Sequence, residues 1–246
     1  SITPTLLPIP ISSLRPSVST SECDRVRDRY ARREGVSDRY SPLAPDVLMA
    51  QQEKVRALAR CFRRAGLLPL GDKRLLEIGC GHGGNLHQLL GLGFRPENLV
   101  GNELLEERIQ SARHLLPVSL ALHPGDATAL DLPDASFDVV LQSTVFTSIL
   151  DRTFQRKLAK RMWDWVKPGG GVLWYDFAFD NPRNPDVRGV PFQEIQALFP
   201  EGRISRQRIT LAPPLARLVC PIHPALYTAL NVVPFLRTHW LCWIHK

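Results

Sequence analysis

The sequence is poor in cysteine. Its five cysteines in 246 residues are odd in number, far apart and free of CxxC or Cys–His spacing. That pattern excludes a disulfide-stapled scaffold and predicts reduced thiols without a structural zinc site. Only 16 residues are glycine, which excludes a collagen-like chain, and 44% are apolar, which is enough for a sizeable core. A globular protein without internal repeats is the class that remains.

Long apolar runs are also missing. The most apolar late stretch, residues 215–244, is interrupted by Pro221, Pro224, Pro234, Arg237 and two histidines. It therefore falls short of the roughly 18 apolar residues that a membrane span needs. The first 20 residues are rich in Pro, Ser and Thr and do not resemble a signal peptide. We predict a soluble cytoplasmic protein with no integral membrane segment. Its late apolar stretch is available for contact with lipid or a lipophilic substrate.

The central part of the chain lacks excess positive charge, although the formal net charge is +7. A basic balance of this kind favours a polyanion-binding surface only when the charge forms one patch. Residues 1–74 carry 14 Lys and Arg against 8 Asp and Glu, residues 75–200 carry 11 against 15, and residues 201–246 carry 6 against 1. Because the excess lies at the two ends and the centre is mildly acidic, we predict no nucleic-acid partner.

Strand-like runs alternate with helical patterns between residues 74 and 177. The predicted strands span 74–78, 98–103, 118–122, 137–142 and 171–177, and the predicted helices span 84–92, 104–115 and 151–166. Such alternation is typical of an α/β protein with a parallel, doubly wound sheet. The run KPGG at 167–170 is predicted to end the last helix and turn the chain into the next strand.

Further elements are predicted on both sides of this alternation. Residues 47–65 fit an amphipathic helix, and an arginine-rich segment before it is placed to lie over the mouth of the sheet. Residues 203–211 and 238–245 fit two more strands, and the residues between them are too many for a hairpin turn. We therefore predict a flexible arm at 1–20, an N-terminal helical cap at 21–70, and the main domain at 71–246 with a lid insertion near 212–237.

The clearest motif is a glycine-rich turn at residues 75–84, whose sequence is LLEIGCGHGG. It takes a predicted strand into a predicted helix, so that the backbone can approach a ligand closely with helix N–H groups facing it. Gly79, Gly81 and Gly84 satisfy the G-x-G-x-x-G pattern of dinucleotide sites. That pattern is weak by itself, so the surrounding residues must decide between ligands.

Three carboxylates around the turn narrow the choice of ligand. Glu77, two residues before Gly79, suits a cationic ammonium group and would repel a pyrophosphate. Glu103 ends the next predicted strand, where a carboxylate accepts hydrogen bonds from both hydroxyls of a ribose, a feature that fits either cofactor. Asp126, in the run GDA after the third strand, is placed to accept from an exocyclic adenine amine. The set favours S-adenosylmethionine (SAM) over a dinucleotide.

These motifs, with FDVV at 137–140 and KPGG at 167–170, together resemble the class I SAM-dependent methyltransferases. The resemblance covers residues 74–176 strongly and the flanks loosely. It implies a Rossmann-like, seven-stranded mixed sheet in the order 3-2-1-4-5-7-6 with the last strand antiparallel, to which the helical cap and an insertion between strands six and seven are added. It also implies a SAM site at the strand tips, formed by Glu77, Gly79, Cys80, Gly81, Glu103, Leu104, Asp126, Ala127 and Gln142.

The loop after the fourth predicted strand bears on the methyl acceptor. Members of this family that modify nucleobase amines have an Asn/Asp-Pro-Pro-aromatic turn there, whereas this chain has QSTVF at 142–146. The departure argues against methylation of adenine or cytosine, and no RNA-binding module is recognisable. The loop resembles that of small-molecule members, in which it lines the acceptor pocket. Phe146 is predicted either to contact the acceptor or to anchor the loop in the core.

Candidates for a general base lie at the carboxyl edge of the predicted sheet. Tyr175 and Asp176 end the fifth strand, although a capped turn is an equal alternative for this position. His239 begins the last strand, whose antiparallel direction puts its start at the same edge. Because the methyl group of SAM is already activated, a base is needed only for a hydroxyl or carbon-acid acceptor. With no metal cluster visible in the sequence, we expect a metal-independent enzyme.

Contacts to the acceptor are expected outside the glycine motif. Arg188 and Arg217 suit an anionic group on the acceptor, with surface or loop-bracing roles as the alternative. Tyr30 and Tyr40, on the arginine-rich N-terminal segment, are expected to close over the site. Oligomeric state is not predicted from the sequence.

The sequence thus predicts a methyltransferase that converts SAM to S-adenosylhomocysteine and methylates a small molecule, with a hydroxyl acceptor preferred. One alternative is a C-methyltransferase for a phosphorylated or isoprenoid acceptor, motivated by the basic ends and the apolar late stretch. A second is a SAM-binding module without catalytic activity. A third, an NAD-dependent oxidoreductase, is disfavoured by the charge of Glu77.

Overall fold

The computed structural model describes residues 21–32, 41–181 and 184–246. The predicted arm at 1–20 and the candidate residue Tyr40 lie outside these ranges. The helices are α1 (Glu22–Ala31), α2 (Pro45–Arg64), α3 (Gly84–Gly91), α4 (Glu106–Leu115), α5 (Arg152–Trp165), α6 (Phe192–Leu198), α7 (Pro213–Val219) and α8 (Pro224–Leu230). The strands are β1 (Leu75–Ile78), β2 (Leu99–Glu103), β3 (Ala121–Pro124), β4 (Phe137–Ser143), β5 (Val166–Phe177), β6 (Arg203–Leu211) and β7 (Arg237–His245).

The strands form one seven-stranded sheet in the order β3-β2-β1-β4-β5-β7-β6. Strands β1 to β5 pair in parallel, and β7 runs antiparallel to both β5 and β6. This arrangement confirms the predicted Rossmann-like order. Ile78 at the end of β1 pairs with Asn102 of β2 and Gln142 of β4, so the central strands end at one common edge.

Both faces of the sheet are covered by helices. On one face Leu75 and Leu173 pack with residues of α2 and α3, and on the other Leu76 and Trp174 pack with residues of α5 and α6. Successive side chains of a strand point to opposite faces. The strand β5 therefore presents Tyr175 to the α2 face and Asp176 to the α5 face, which separates two residues that are neighbours in sequence.

Two predicted strands begin three or more residues away from their observed starts. The third strand begins at Ala121 rather than at residue 118, because the backbone N–H of Leu120 donates to the carbonyl of Pro117 and closes a turn that leaves Val118 fully exposed. The fifth strand begins at Val166, directly after α5, because Val166 already pairs with Phe137 across a register shift in β4. The run KPGG therefore lies within the first part of β5.

The segment between β6 and β7 folds as the two short helices α7 and α8. Its anchor is the buried carboxylate of Glu53 on α2, which accepts hydrogen bonds of 2.6 Å from Tyr227 Oη and 2.6 Å from Asn231 Nδ2. The backbone N–H of Thr210 donates to both Glu53 oxygens, each at 3.1 Å. A buried carboxylate needs several donors, so these bonds fix the insertion to α2.

The division into arm, cap and main domain stays a prediction.

None of the helices in the described ranges combines the length and apolarity needed to cross a bilayer. The five cysteines are all free thiols.

Candidate functional site

The turn after β1 contains three glycines with left-handed backbone conformations, at φ 66° for Gly79, 56° for Gly81 and 85° for Gly83. Residues with a Cβ seldom adopt this conformation. A Cβ on Gly79 would lie 2.5 Å from Val145 Cγ2, whereas a Cβ on Gly81 would meet no atom within 4 Å. The turn therefore packs tightly at Gly79 and leaves open space in front of Gly81.

A cavity of about 300 Å³ opens at the carboxyl ends of β1 to β4. Six of the predicted cofactor residues line it, namely Gly79, Gly81, Glu103, Leu104, Asp126 and Ala127. Its cover is the α1 helix, which contributes Cys23, Val26 and Tyr30. The helices α2 and α3 contribute Lys54 and Asn85, neither of which was predicted from the sequence.

A chain of polar side chains links this wall to Glu77. Lys54 Nζ donates a 2.6 Å hydrogen bond to Asn85 Oδ1, and Asn85 Nδ2 donates one of 2.6 Å to Glu77 Oε1. Glu77 is fully buried, and its second oxygen, Oε2, has no hydrogen-bond partner among the described residues. Burial raises the pKa of Glu77, while Asn85 and Lys54 oppose that shift. Burial also lowers the pKa of Lys54, against the attraction of Glu77.

The other two predicted carboxylates are held in the cavity wall by backbone donors. Glu103 accepts from the N–H of Gly81 at 2.8 Å and from the N–H of Leu105 at 3.0 Å. Asp126 accepts from the N–H of Thr128 at 2.8 Å and from its hydroxyl at 3.0 Å. Each carboxylate oxygen has a second lone-pair site, so both side chains keep acceptor capacity toward the cavity.

Three of the predicted cofactor residues, Glu77, Cys80 and Gln142, lie outside the lining of the cavity. The Cys80 side chain is buried in the core beside Leu86, and its backbone N–H donates to Asn102 at 2.8 Å. Gln142 is fully buried, and its Oε1 accepts from the N–H of Val145 at 3.1 Å. Gln142 therefore positions the loop after β4, which lines the cavity through Thr144, Val145 and Ser148, next to Ser143 at the end of β4.

His239 is enclosed in the sheet rather than at the cavity. Its ring is stacked on Tyr175, with centroids 4.7 Å apart and planes at 6°, and its Nδ1 lies 3.0 Å from Thr238 Oγ1. Burial, with a further contribution from the positive charge of Lys54, lowers the pKa of His239 to about 3. The side chain is therefore neutral near pH 7 and a weak base.

The neighbouring candidates Tyr175 and Asp176 also have structural partners. Tyr175 Oη lies 2.9 Å from Thr210 Oγ1, and burial raises the pKa of this phenol. Asp176 accepts from the hydroxyl of Thr147 and from the N–H groups of Thr147 and Phe177, at 3.2 Å and 2.9 Å. Burial raises the pKa of Asp176 to about 6 despite these bonds. Asp176 therefore has the geometry of a residue that caps a turn, which is the predicted alternative to a general base.

The residues predicted to contact the methyl acceptor do not lie together at the cavity. Tyr30 lines the cavity, 3.2 Å from Ser148 Oγ and beneath the Arg108 guanidinium, which lies 4.2 Å from its ring centroid. Phe146 is fully buried, with its ring 4.5 Å from that of Trp174, so it anchors the loop in the core. Arg188 and Arg217 are exposed, and neither lines the cavity.

The α1 helix is held over the cavity by a buried ion pair. Arg29 Nη2 lies 2.6 Å from Glu22 Oε1 and donates to the carbonyl of Ser148 at 2.9 Å. The N–H of Leu150 donates to the same Glu22 oxygen at 3.0 Å. Against the opposing effect of burial, hydrogen bonds from Arg25, Leu150 and Arg29 hold the pKa of Glu22 below its usual range. The described part of the arginine-rich segment, residues 21–32, thus covers the sheet edge, as the sequence predicts.

The position of Lys54 in the sequence indicates a buried role that the sequence analysis missed. It lies on the apolar stripe of α2, four residues after Ala50, three before Ala57 and seven before Cys61. A single cation on such a stripe requires a buried partner, which is Asn85 here.

Within the described ranges, no group of three or more His, Cys, Asp or Glu side chains is placed to hold a metal ion.

Comparisons with known proteins agree on one class. Residues 75–170 match the sequence family described as "Methyltransferase domain". The chain is 36% identical over 157 residues to the phthiotriol/phenolphthiotriol dimycocerosates methyltransferase of Mycobacterium tuberculosis, covering 60% of this chain and 55% of the relative. It is 33% identical over 153 residues to the 2-methyl-6-phytyl-1,4-hydroquinone methyltransferase of Synechocystis, covering 61% and 44%. The chain thus spans about half the length of these curated relatives.

A solved structure supports the same fold. A SAM-dependent methyltransferase of Thermotoga maritima superposes with a TM-score of 0.57 at 18% identity, covering 90% of this chain and 99% of that one. The sheet order, the glycine turn and the lined cavity define a class I SAM-dependent methyltransferase domain. The sequence match at residues 75–170 agrees with this class, whose cofactor is SAM.

Proposed function

We propose that the protein transfers the methyl group of SAM to a small-molecule acceptor, with a hydroxyl oxygen preferred. The observation that supports this most is the unpartnered oxygen Glu77 Oε2, which is buried directly behind the glycine turn. A buried carboxylate oxygen without a donor is costly, and an ammonium group supplies that donor. Lys54, at the other end of the Asn85 bridge, offers a cation to the carboxylate of the same amino-acid group.

The remaining wall residues fit the adenosine part of SAM. We assign Glu103 to the ribose hydroxyls and Asp126, with the Ala127 backbone, to the adenine amine. The open space at Gly81 accommodates the amino-acid chain, and Leu104 provides apolar contact. When bound, SAM supplies a methyl group on a sulfonium that needs no further activation. The protein's contribution is then largely to orient the acceptor and exclude water.

The side chains on the opposite wall favour an acceptor that is apolar with a hydroxyl group. Val26, Ile149 and Phe154 provide apolar surface, and the hydroxyls of Tyr30 and Ser148, which lie 3.2 Å apart, line the same cavity. These two hydroxyls are placed to hydrogen-bond an acceptor oxygen. The names of both curated relatives denote hydroxyl-bearing acceptors, a triol and a hydroquinone.

A second candidate function is methylation of a ring carbon on an isoprenoid acceptor. The Synechocystis relative is named for a phytyl hydroquinone, and the same apolar side chains line the cavity for either chemistry. For an anionic acceptor, the cations that line the cavity are Lys54 and Arg108, rather than the predicted Arg188 and Arg217.

Turnover with SAM carrying a deuterated methyl group tests the proposal. The full chain is incubated with a panel of alkyl alcohols, phenols and prenylated hydroquinones, and products are analysed by mass spectrometry and NMR. We expect a labelled O-methyl ether with at least one member. A labelled C-methyl product would favour the second candidate. SAM binding without any labelled product would mean a binding module without catalytic activity.

A further inference from the structure

The helical insertion between β6 and β7 exposes an unusual share of apolar surface. Among the described residues, five of the twelve exposed large apolar side chains fall within residues 218–235, although this stretch is a small part of the chain. They are Leu218, Ile222, Leu226, Val232 and Phe235, of which Ile222 and Phe235 are 72% and 78% exposed. Single exposed apolar residues are normal, but a concentration of them marks an interaction site.

The inner side of the insertion already has a partner. Ala216, Val219 and Tyr227 are buried in a small cluster with Leu211 of β6. Tyr227 also donates to Glu53 of α2. The exposed apolar residues are therefore a second, outward surface, which includes six consecutive exposed residues, 221–226, at the tip between α7 and α8. Short helices that are apolar on both sides need two partners, and the protein supplies only one among the described residues.

The charge around this surface is mainly positive, and the acid beside it is Asp46 in the first turn of α2, near Cys220. No Asp or Glu follows Glu201 in the chain, so the whole insertion is free of acids, and Arg217 adjoins Leu218 on its outer side. The helix α2, on which α7 and α8 pack, adds the exposed Arg56 and Arg60. In the part of the chain that the structure describes, none of these three arginines pairs with a carboxylate. The surface therefore complements an anionic partner and repels a second copy of itself.

We propose that this insertion docks on an anionic lipid bilayer. An apolar tip flanked by basic residues and free of acids is the pattern by which proteins rest in the headgroup layer of a membrane without crossing it. Ile222 and Phe235 would enter the boundary between headgroups and acyl chains, and Arg217 would lie among lipid phosphates. Glu53, the anchor of the insertion, is followed directly by Lys54 of the cavity, so docking would place the site close to the bilayer surface. The inference does not depend on methyl transfer.

Co-sedimentation of the full chain with lipid vesicles tests the proposal. The vesicles contain either equal parts of phosphatidylglycerol and phosphatidylcholine, or phosphatidylcholine alone. We expect binding to the anionic vesicles, weakened by high salt, and little binding to the neutral ones. The double variant Ile222→Ser/Phe235→Ser should bind at least about tenfold more weakly, and Arg217→Ala about fivefold.

The matched control is Leu115→Ser/Val118→Ser, which removes two exposed apolar side chains near β3 at the opposite edge of the sheet. It should bind anionic vesicles like the wild type. SAM titration and circular dichroism check that each variant is folded, and Ile222→Ser alone replaces the double variant if that one is not. The proposal is overturned if the wild type ignores anionic vesicles, if Ile222→Ser binds them undiminished, or if light scattering shows that the substitutions dissociate a dimer.

Discussion

The Asn85 side-chain amide donates a 2.6 Å hydrogen bond to Glu77 from one end and accepts a 2.6 Å bond from Lys54 at the other. This bridge joins the buried carboxylate of Glu77 to a cation at the wall of the cofactor cavity, Lys54. A ligand group with both charges, such as an amino acid, can satisfy both at once.

Lys54→Met should weaken SAM binding without affecting a ligand that lacks the amino-acid end. The substitution removes the cation but keeps an unbranched side chain of similar length on α2. We expect SAM affinity to fall about 10- to 100-fold, the range for loss of a charged hydrogen bond. Binding of 5′-methylthioadenosine should change little. Calorimetric titration with both ligands measures the difference, with Arg56→Met on the exposed side of α2 as the control. Equal losses for both ligands would contradict the role given to Lys54.

Gly79→Ala should destabilise the fold more than Gly81→Ala. Both substitutions place a Cβ on a left-handed residue, which costs about 1–2 kcal/mol. Only the Cβ at Gly79 also clashes, because it would lie 2.5 Å from Val145 Cγ2. Urea unfolding should therefore show a larger loss for Gly79→Ala. Gly81→Ala should remain folded and lose SAM affinity, because its methyl group enters the cavity. Equal unfolding free energies for the two variants would be inconsistent with this packing.

His239 should make the folded protein sensitive to acid. Burial and the nearby Lys54 lower its pKa to about 3 in the folded state, whereas an unfolded chain has a value near 6.5. The unfolded state therefore binds the proton first, and the stability due to neutral His239 is lost as pH falls from about 6.5 toward 3.

His239→Phe should reduce the loss of unfolding free energy between about pH 7 and pH 4 by roughly 2–3 kcal/mol, because it keeps a ring against Tyr175 and cannot be protonated. Urea unfolding at the two pH values gives the comparison. The exposed His114→Phe is the control and should leave the pH dependence as it is. If His239→Phe retains the full acid sensitivity, another group is responsible.

Arg29→Ala should loosen α1 over the cavity. Arg29 joins Glu22 to the carbonyl of Ser148, and its loss leaves Glu22 buried without its nearest cation. Cys23 on the inner side of α1 reports the opening, since burial raises the pKa of this thiol to about 11 and protects it.

Alkylation of Cys23, followed by peptide mass spectrometry, should be about 10-fold faster in Arg29→Ala than in the wild type. Added SAM should slow it in both. Arg27→Ala removes an exposed pair with Asp24 on the same helix and serves as the control. Equal rates in Arg29→Ala and Arg27→Ala would count against a clamp at Arg29.

The fold was predictable where the sequence pattern has a single structural solution. The bounds predicted for β6, 203–211, match the structure because Gly202 before the run and Pro213 after it limit the strand at both ends. The β3 prediction failed because Val118 has strand propensity but lies in an exposed turn before the strand. Local propensity cannot distinguish these cases, since neighbouring elements decide which residues pair.

The candidate site was predictable in part for the same reason. Glu103 and Asp126 line the cavity because carboxyl ends of parallel strands meet at one edge, which chain order alone determines. The structure directs Asp176 and His239 away from that cavity, because alternation along a strand and the packing of α2 set their direction. Lys54 and Asn85 were missed, since their proximity depends on how α2 and α3 pack.

Titration of the wild type and of Glu77→Gln with SAM tests the central claim most directly. We predict that the wild type binds SAM in preference to NAD. Glu77→Gln should bind SAM about 30- to 100-fold more weakly, because it loses the charge opposite the ammonium group. The exposed Glu97→Gln should bind like the wild type. Absence of SAM binding to the folded wild type, or equal affinity in Glu77→Gln, would contradict the account.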